Sequence, residues 1–309
     1  MHMPTAHAAG SPQPFQSGSH SSAGRPDASK RIEDRLVAER GMKRFTFCLA
    51  PGLLAILAVC GFGVESSDKK AEETPCFWQQ DKAAGFVDGG SNYCAPTAIS
   101  NGLIYLAQAR GMKGLVPGTG HDHQIALIEK LAHEMDTDPK NGTSPDKIIT
   151  GLRRYVEANG FRMKRLEVAT WRGLSEVNRA CSVGKKPVLE WLRAAAADPD
   201  CVEVFNVGWY RKEENGFNRH GGHWVTVVNA GPGLRDFSIH NPLLRPDTQQ
   251  QKKAVSLTML DKGFNVINAE GKDTGNMSGY YQVAGPGLPL GAKTAAAVLD
   301  SVIVFSVQK

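Results

Sequence analysis

The stretch Gly221-Gly222-His223-Trp224-Val225-Thr226-Val227-Val228-Asn229 reads as a strand beginning at His223, because β-branched residues follow the histidine without interruption. The break Ala230-Gly231-Pro232-Gly233 cannot continue it, and Arg235-Asp236-Phe237-Ser238-Ile239-His240-Asn241-Pro242 reads as a second short strand stopped by proline. Together they predict an antiparallel hairpin. With the turn centred on Pro232, His223 falls directly opposite Asn241 on the same face, the Cβ atoms about 5 Å apart. A side-chain amide there can accept from one ring N–H of the imidazole, fix its tautomer and aim the other nitrogen at a nucleophile. In the same register His220 faces Leu244 and His240 faces Trp224, so neither gains an orienting polar group. A slip of one residue would turn every side chain to the opposite face. The plainer reading of His223 is a half-buried strand histidine bonded to backbone.

An imidazole placed in this way needs a nucleophile. In Ser91-Asn92-Tyr93-Cys94-Ala95-Pro96-Thr97-Ala98-Ile99-Ser100-Asn101-Gly102-Leu103-Ile104-Tyr105-Leu106-Ala107 a polar loop gives way to apolar residues at helical spacing, Ile99, Leu103, Leu106 and Ala107. The spacing predicts a helix starting close to Cys94, with Pro96 in its first turn and Gly111 at its far end. A thiol at that end faces unpaired N–H groups and the positive pole of the helix dipole, both of which favour thiolate. Cys94 is the candidate nucleophile; a buried small hydrophobe or a half-cystine is the other reading.

Asn92-Tyr93-Cys94-Ala95-Pro96-Thr97, Gly221-Gly222-His223-Trp224-Val225 and Asn241-Pro242 together resemble the papain-like cysteine peptidases, most closely their bacteriocin-processing (double-glycine leader) peptidase-like branch. The match runs roughly from Pro75 to Pro242. Ala95 stands where the branch usually has Gly, and Asn241 where Asp is more frequent. The resemblance implies Cys94 as nucleophile, His223 as general base and then acid, and Asn241 as the orienting residue. It also implies an upstream Gln whose amide completes an oxyanion hole with the Cys94 backbone N–H. Phe77-Trp78-Gln79-Gln80-Asp81 supplies Gln80 for that role, with Gln79 and Asn92 as alternatives. The expected chemistry is hydrolysis of peptide bonds through an acyl-enzyme thioester. A papain-like domain that binds without turnover, or an acyltransferase using the same three groups, are the alternatives.

The rest of the chain reads as framework. Leu127–Ala132 and Pro145–Val156 show helical spacing, the second behind the cap Thr143-Ser144. Strand-like runs follow at Pro187–Trp191, Val202–Val207, the hairpin, Tyr280–Val283 and Val298–Phe305. Helices first and strands after predict an α+β fold; with the resemblance, this becomes a papain-like cysteine proteinase fold whose nucleophile helix packs on a C-terminal antiparallel β-sheet. The loops Arg211–Arg219 and Leu243–Lys253 are expected to border the cleft.

Composition sets the outer bounds. Of 309 residues, 41% are apolar and 22% charged, an ordinary globular balance. The net charge of +5 is too weak to imply nucleic acid, and with no Lys/Arg run interleaved with aromatics no nucleic-acid partner is expected. Residues 1–41, rich in Ser, Gly, Pro and Ala at the start, are expected to be a disordered or over-translated extension, with Met42 as the true start. Met42-Lys43-Arg44 followed by the uncharged run Phe45–Val64 predicts a signal peptide over 42–66, with a membrane anchor, or a lipoprotein signal acylated at Cys60, as the alternatives. The peptidase domain is then 67–309. All three readings place it outside the cytoplasm, with the membrane touched only through an uncleaved signal or a lipid. Beyond the signal lie Cys76, Cys94, Cys181 and Cys201, and in an oxidising compartment Cys181 and Cys201 are close enough in sequence to pair. His121-Asp122-His123 puts two imidazoles in a turn before a helix, which reads as solvent-exposed, so neither metal nor cofactor is expected. The expected partner is a peptide or protein substrate.

Overall fold

The computed structural model describes residues 65–245, 252–288, 290–291 and 293–309. Within them the chain forms α1 (Glu65–Glu73), α2 (Cys94–Ala109), α3 (His121–Glu134), α4 (Pro145–Ala158), β1 (Arg162–Thr170), β2 (Ser182–Gly184) and α5 (Leu189–Ala197). Eight strands follow: β3 (Val202–Glu213), β4 (Gly216–Ala230), β5 (Asp236–His240), β6 (Lys252–Met259), β7 (Asn265–Ile267), β8 (Asp273–Asn276), β9 (Tyr281–Ala284) and β10 (Ala296–Gln308).

Six of these strands close on themselves. Antiparallel ladders run β3 to β4, β5, β6, β9 and β10, and β10 returns to β3. β10 makes the closure: one edge pairs with β3 from Ala296 to Phe305, while the other pairs with β9 at Val298 and Leu299 and then with β1 from Ser301 onward. Asp300 is the extra residue at that change of partner, in a bulge between Leu299 and Ser301; bulges of this kind bend a strand and let a sheet curl. The expected papain-like α+β fold, a helical N-terminal part on a C-terminal sheet, is therefore corrected to a closed six-stranded antiparallel barrel with extra strands and few helices. Strand-like runs reveal which segments pair, but not that the first and last strands of the set pair with each other.

Alternation along the strands separates two cores. Phe205 and Val207, Val225 and Val227, Phe237 and Ile239, and Val255 and Leu257 share the barrel interior, each buried side chain contributing roughly 1.5–3 kcal/mol. The opposite faces of β3 and β10, with Val204, Ile303 and Phe305, pack against α2, α3 and α4 through Leu103, Leu131 and Leu152. α2 is buried from Cys94 to Leu106 and sits close enough to β3 that a Cβ on Gly102 would lie 2.3 Å from Val202 Cγ1. Thr226 Oγ1 donates to Ala98 O at 2.9 Å, pinning the same helix to β4.

α2 starts at Cys94, Gly111 beyond its end takes a φ of 62°, and Ser144 Oγ caps α4 by accepting from Lys147 N, all as the local signals predict. Pro187–Trp191 is not a strand: α5 begins at Leu189, because the strong helix formers Arg193-Ala194-Ala195-Ala196-Ala197 extend past the apolar run. β1 falls in the part expected to be helical, and β6 matches no run identified in the sequence.

The expected Cys181–Cys201 disulfide is absent. Both thiols are free, Cys181 in the helix-side core and Cys201 in the barrel core. Cys201 Sγ donates to Asp198 Oδ2 at 3.1 Å, and Arg153 Nη2 lies 3.3 Å from Cys181 Sγ. Twenty residues of sequence separation bring ends together only if the chain between them turns back, and α5 and its flanks hold these two apart. The 1–41 extension and residues 42–64 of the expected signal lie outside the described residues, while Glu65 and Ser66 open α1. Among the described residues no helix is long and apolar enough to cross a membrane.

Candidate active site

Cys94, His223 and Asn241 line or adjoin one cleft of about 710 Å3, whose walls include Asn92, Cys94, Thr143, His223, Trp224 and Leu243. The hairpin that carries the imidazole is present, but its register differs from expectation. Thr226 pairs with His240 and Val227 with Ile239, and a bulge before Asn229 changes the register nearer the turn. Continued past His240, this register would set Asn241 beside Val225, two residues from His223. The shift is even, so both side chains stay on one face, and they meet diagonally with His223 Nε2 and Asn241 Oδ1 2.6 Å apart.

The hydrogen bonds around Asn241 fix the tautomer. Its Nδ2 donates to Gly287 O at 2.6 Å and its Oδ1 accepts from Leu243 N at 2.9 Å, so the oxygen faces the ring. His223 Nε2 must then carry the hydrogen, and Nδ1 is left as an acceptor. Trp209 stacks on the imidazole, ring centroids 6.1 Å apart.

Cys94 is the first residue of α2 and 8% exposed. Burial pushes its thiol above the ordinary range, while the backbone N–H groups of Trp224 and Ala95 pull the other way. The thiolate expected from the helix terminus is thus not the resting form. A helix dipole contributes about 1 kcal/mol at best in most sites, and loss of water around a buried thiolate costs more. Burial likewise draws the His223 imidazole down to about 4, the Asn241 hydrogen bond opposing it. At neutral pH the cleft is lined by a neutral thiol and a neutral imidazole.

That depression has a consequence for stability. The folded state releases a proton near pH 4 that the unfolded chain holds up to about 6.5, so His223 favours folding above pH 6.5 and loses this contribution as pH falls toward 4. The loss should reach about 3 kcal/mol. Urea unfolding of the wild-type chain and of His223→Gln at pH 7.5 and pH 4 is expected to show the extra loss only in the wild type; equal losses would contradict the assigned burial.

Of the oxyanion candidates, Gln80 is exposed at the surface and does not line the cleft, a correction to the sequence expectation. Gln79 is buried, and both Nε2 hydrogens are used, on Gly90 O at 2.9 Å and Ser91 O at 3.0 Å. Its backbone N–H donates to Pro242 O at 2.9 Å, so Gln79 ties the loop before Cys94 to the residue after Asn241. Asn92 alone of the three lines the cleft, with one Nδ2 hydrogen on Pro139 O at 2.6 Å and the other without an acceptor among the described residues. Leu243 and Arg219 of the expected border loops reach the cleft; residues 246–251 of the second loop are outside those described.

Sequence reasoning missed the wall formed by Lys140, Asn141, Gly142 and Thr143. Thr143 O accepts from Trp224 Nε1 at 3.1 Å, which ties this turn to the residue after His223. Lys-Asn-Gly-Thr signals a turn, but nothing local signals where it will dock. His121 is an exposed partner of Asp81, its Nε2 2.6 Å from Asp81 Oδ2, and no cluster of three or more metal-ligating side chains occurs among the described residues. Compared with the models of known protein families the chain matches none, and no curated protein matches it.

Proposed function

We propose that the protein is a cysteine peptidase or amidase acting through Cys94, His223 and Asn241. The observation that supports this most strongly is the 2.6 Å contact that leaves His223 Nδ1 as a free acceptor in the cleft that Cys94 also lines. As Sγ attacks the scissile carbonyl, its proton passes to Nδ1. That transfer stays within one buried pair, so no net charge enters the site. The tetrahedral oxyanion is met by the N–H at the start of α2 and by the unspent Asn92 hydrogen. Imidazolium then protonates the leaving amine, and a water, deprotonated by the same ring, hydrolyses the thioester. The motif resemblance to the double-glycine leader peptidase-like branch is part of this proposal as regards chemistry only.

A second reading, a catalytically silent binding domain, is favoured by the neutral resting state of both groups. The separating experiment is incubation with a degenerate peptide library and mass spectrometry of the products. New termini with the wild type and none with Cys94→Ala are expected; identical products from both would contradict the proposal. An added amine that captures the acyl group would mark a transferase. We also propose that the domain works outside the cytoplasm, on the basic-then-apolar order of Met42–Val64. N-terminal sequencing of the mature chain tests this, and a chain beginning at Met1 in the cytosol would contradict it.

A further inference from the structure

Beside Cys94 and His223 the same cleft is lined by Arg172 and Arg219, whose guanidinium groups converge on Asp300. Arg219 Nε donates to Asp300 Oδ2 at 2.7 Å and its Nη2 to Asn206 Oδ1 at 3.0 Å. Tyr210 adds its hydroxyl to the same Oδ2 at 3.3 Å. Arg172 Nη2 stands 3.9 Å from it, and among the described residues the Arg172 guanidinium makes no hydrogen bond. Two cations therefore share one wholly buried carboxylate, leaving one positive charge uncompensated. Lys140 adds a further cation to the cleft, and no acidic side chain is among its described lining residues.

The fold makes room for this cluster. A Cβ on Gly208 would lie 2.2 Å from Asp300 Oδ2, and one on Gly222 would lie 2.3 Å from Arg219 Nη2. The Gly-Gly pair before His223 thus has a steric reason: Gly221 passes the Trp209 ring, its added Cβ 3.1 Å from Cε3, and Gly222 passes the guanidinium. The bulge that closes the barrel at Asp300 also supplies the counter-ion that holds Arg219 in place.

We propose that Arg172 and Arg219 form a carboxylate-recognition subsite, so that the substrate of the proposed Cys94 chemistry is a peptide carrying an anionic group, held by the unsatisfied Arg172 fork. This rests on the peptidase reading for its purpose, but binding tests it apart from turnover. The carboxylate can come from a Glu or Asp side chain or from the chain end. Buried charge-assisted pairing of this kind is worth on the order of tenfold in affinity or more.

The probes are acetylated hexapeptide mixtures with Glu or Gln fixed at each position in turn, as C-terminal amides, and an all-neutral mixture as free acid and as amide. Each is titrated onto the full-length Cys94→Ala chain. Tighter binding of Glu over Gln at one position, or of acid over amide, by about tenfold or more supports the subsite and names the source. Arg172→Gln is expected to bring that ratio close to one, and Arg172→Lys, which keeps charge without the fork, to retain part of it. Equal affinity in every pair, or a ratio unchanged in both variants, overturns the subsite. Absence of Cys94-dependent cleavage would instead overturn the peptidase reading and leave the binding result standing.

Discussion

Replacing His223 by Gln is expected to lower kcat/KM on any peptide the wild type cleaves by about 10²–10⁴-fold, the range in which a positioned general base contributes. The loss should be mostly in kcat, because in the proposed mechanism the ring moves a proton and holds little of the substrate. Burial makes the effect large: Cys94 rests as a thiol, its pKa raised by desolvation, so without a base beside it there is almost no thiolate to attack. Asn241→Ala removes the acceptor that fixes the Nε2–H tautomer. It should cost on the order of tenfold or more in kcat with KM little changed, and a rise in KM with kcat unchanged would contradict a positioning role. Steady-state kinetics on a cleaved library peptide measures both.

The second large effect lies away from the chemistry. Gly102→Leu is expected to destabilise the fold by about 2 kcal/mol or more and to abolish activity. A helix-interior glycine replaced by leucine gains nearly 1 kcal/mol in helix propensity. Here that gain loses to sterics, since the first added carbon would lie 2.3 Å from Val202 Cγ1, and overpacking of this kind costs roughly 1–3 kcal/mol or more. α2 must then tilt off β3, and Cys94 at its first residue moves with it. Gly102→Leu combined with Val202→Ala, which removes the methyls in the way, should recover part of the stability. Urea midpoints of the single and double variants decide it, and a Gly102→Leu chain as stable and active as the wild type would show that the helix does not set the sulfur's position.

Much of the site was legible because its signals are local. The polar-to-apolar change at Cys94, the β-branched run after His223 and the Gly-Pro break each act over fewer than a dozen residues, and a hairpin brings Asn241 to His223 with no help from distant chain. Even the two-residue error in register was harmless, because strand faces repeat with period two. What failed needed distant partners. Gln79 and Gln80 are adjacent in sequence and opposite in exposure, and only the loop's docking on Pro242 decides which points inward. The resting charge of Cys94 depends on how deeply α2 is covered, which outweighed a correct reading of the helix terminus. Closure of the barrel turns on β10 changing partners at Asp300, and no run of residue types announces it. The Gly221-Gly222 pair belongs to a recognisable motif, but its steric role appears only with Arg219 and Trp209 beside it.

Covalent trapping measures most directly the activation of Cys94 by His223 on which the proposed mechanism depends. Treated with a peptide vinyl sulfone near neutral pH, the wild-type chain is expected to gain one adduct, mapped to Cys94, at a rate that falls at least tenfold in His223→Gln. Adducts spread over Cys76, Cys181 and Cys201, or labelling of Cys94 at the same rate without the imidazole, would contradict it.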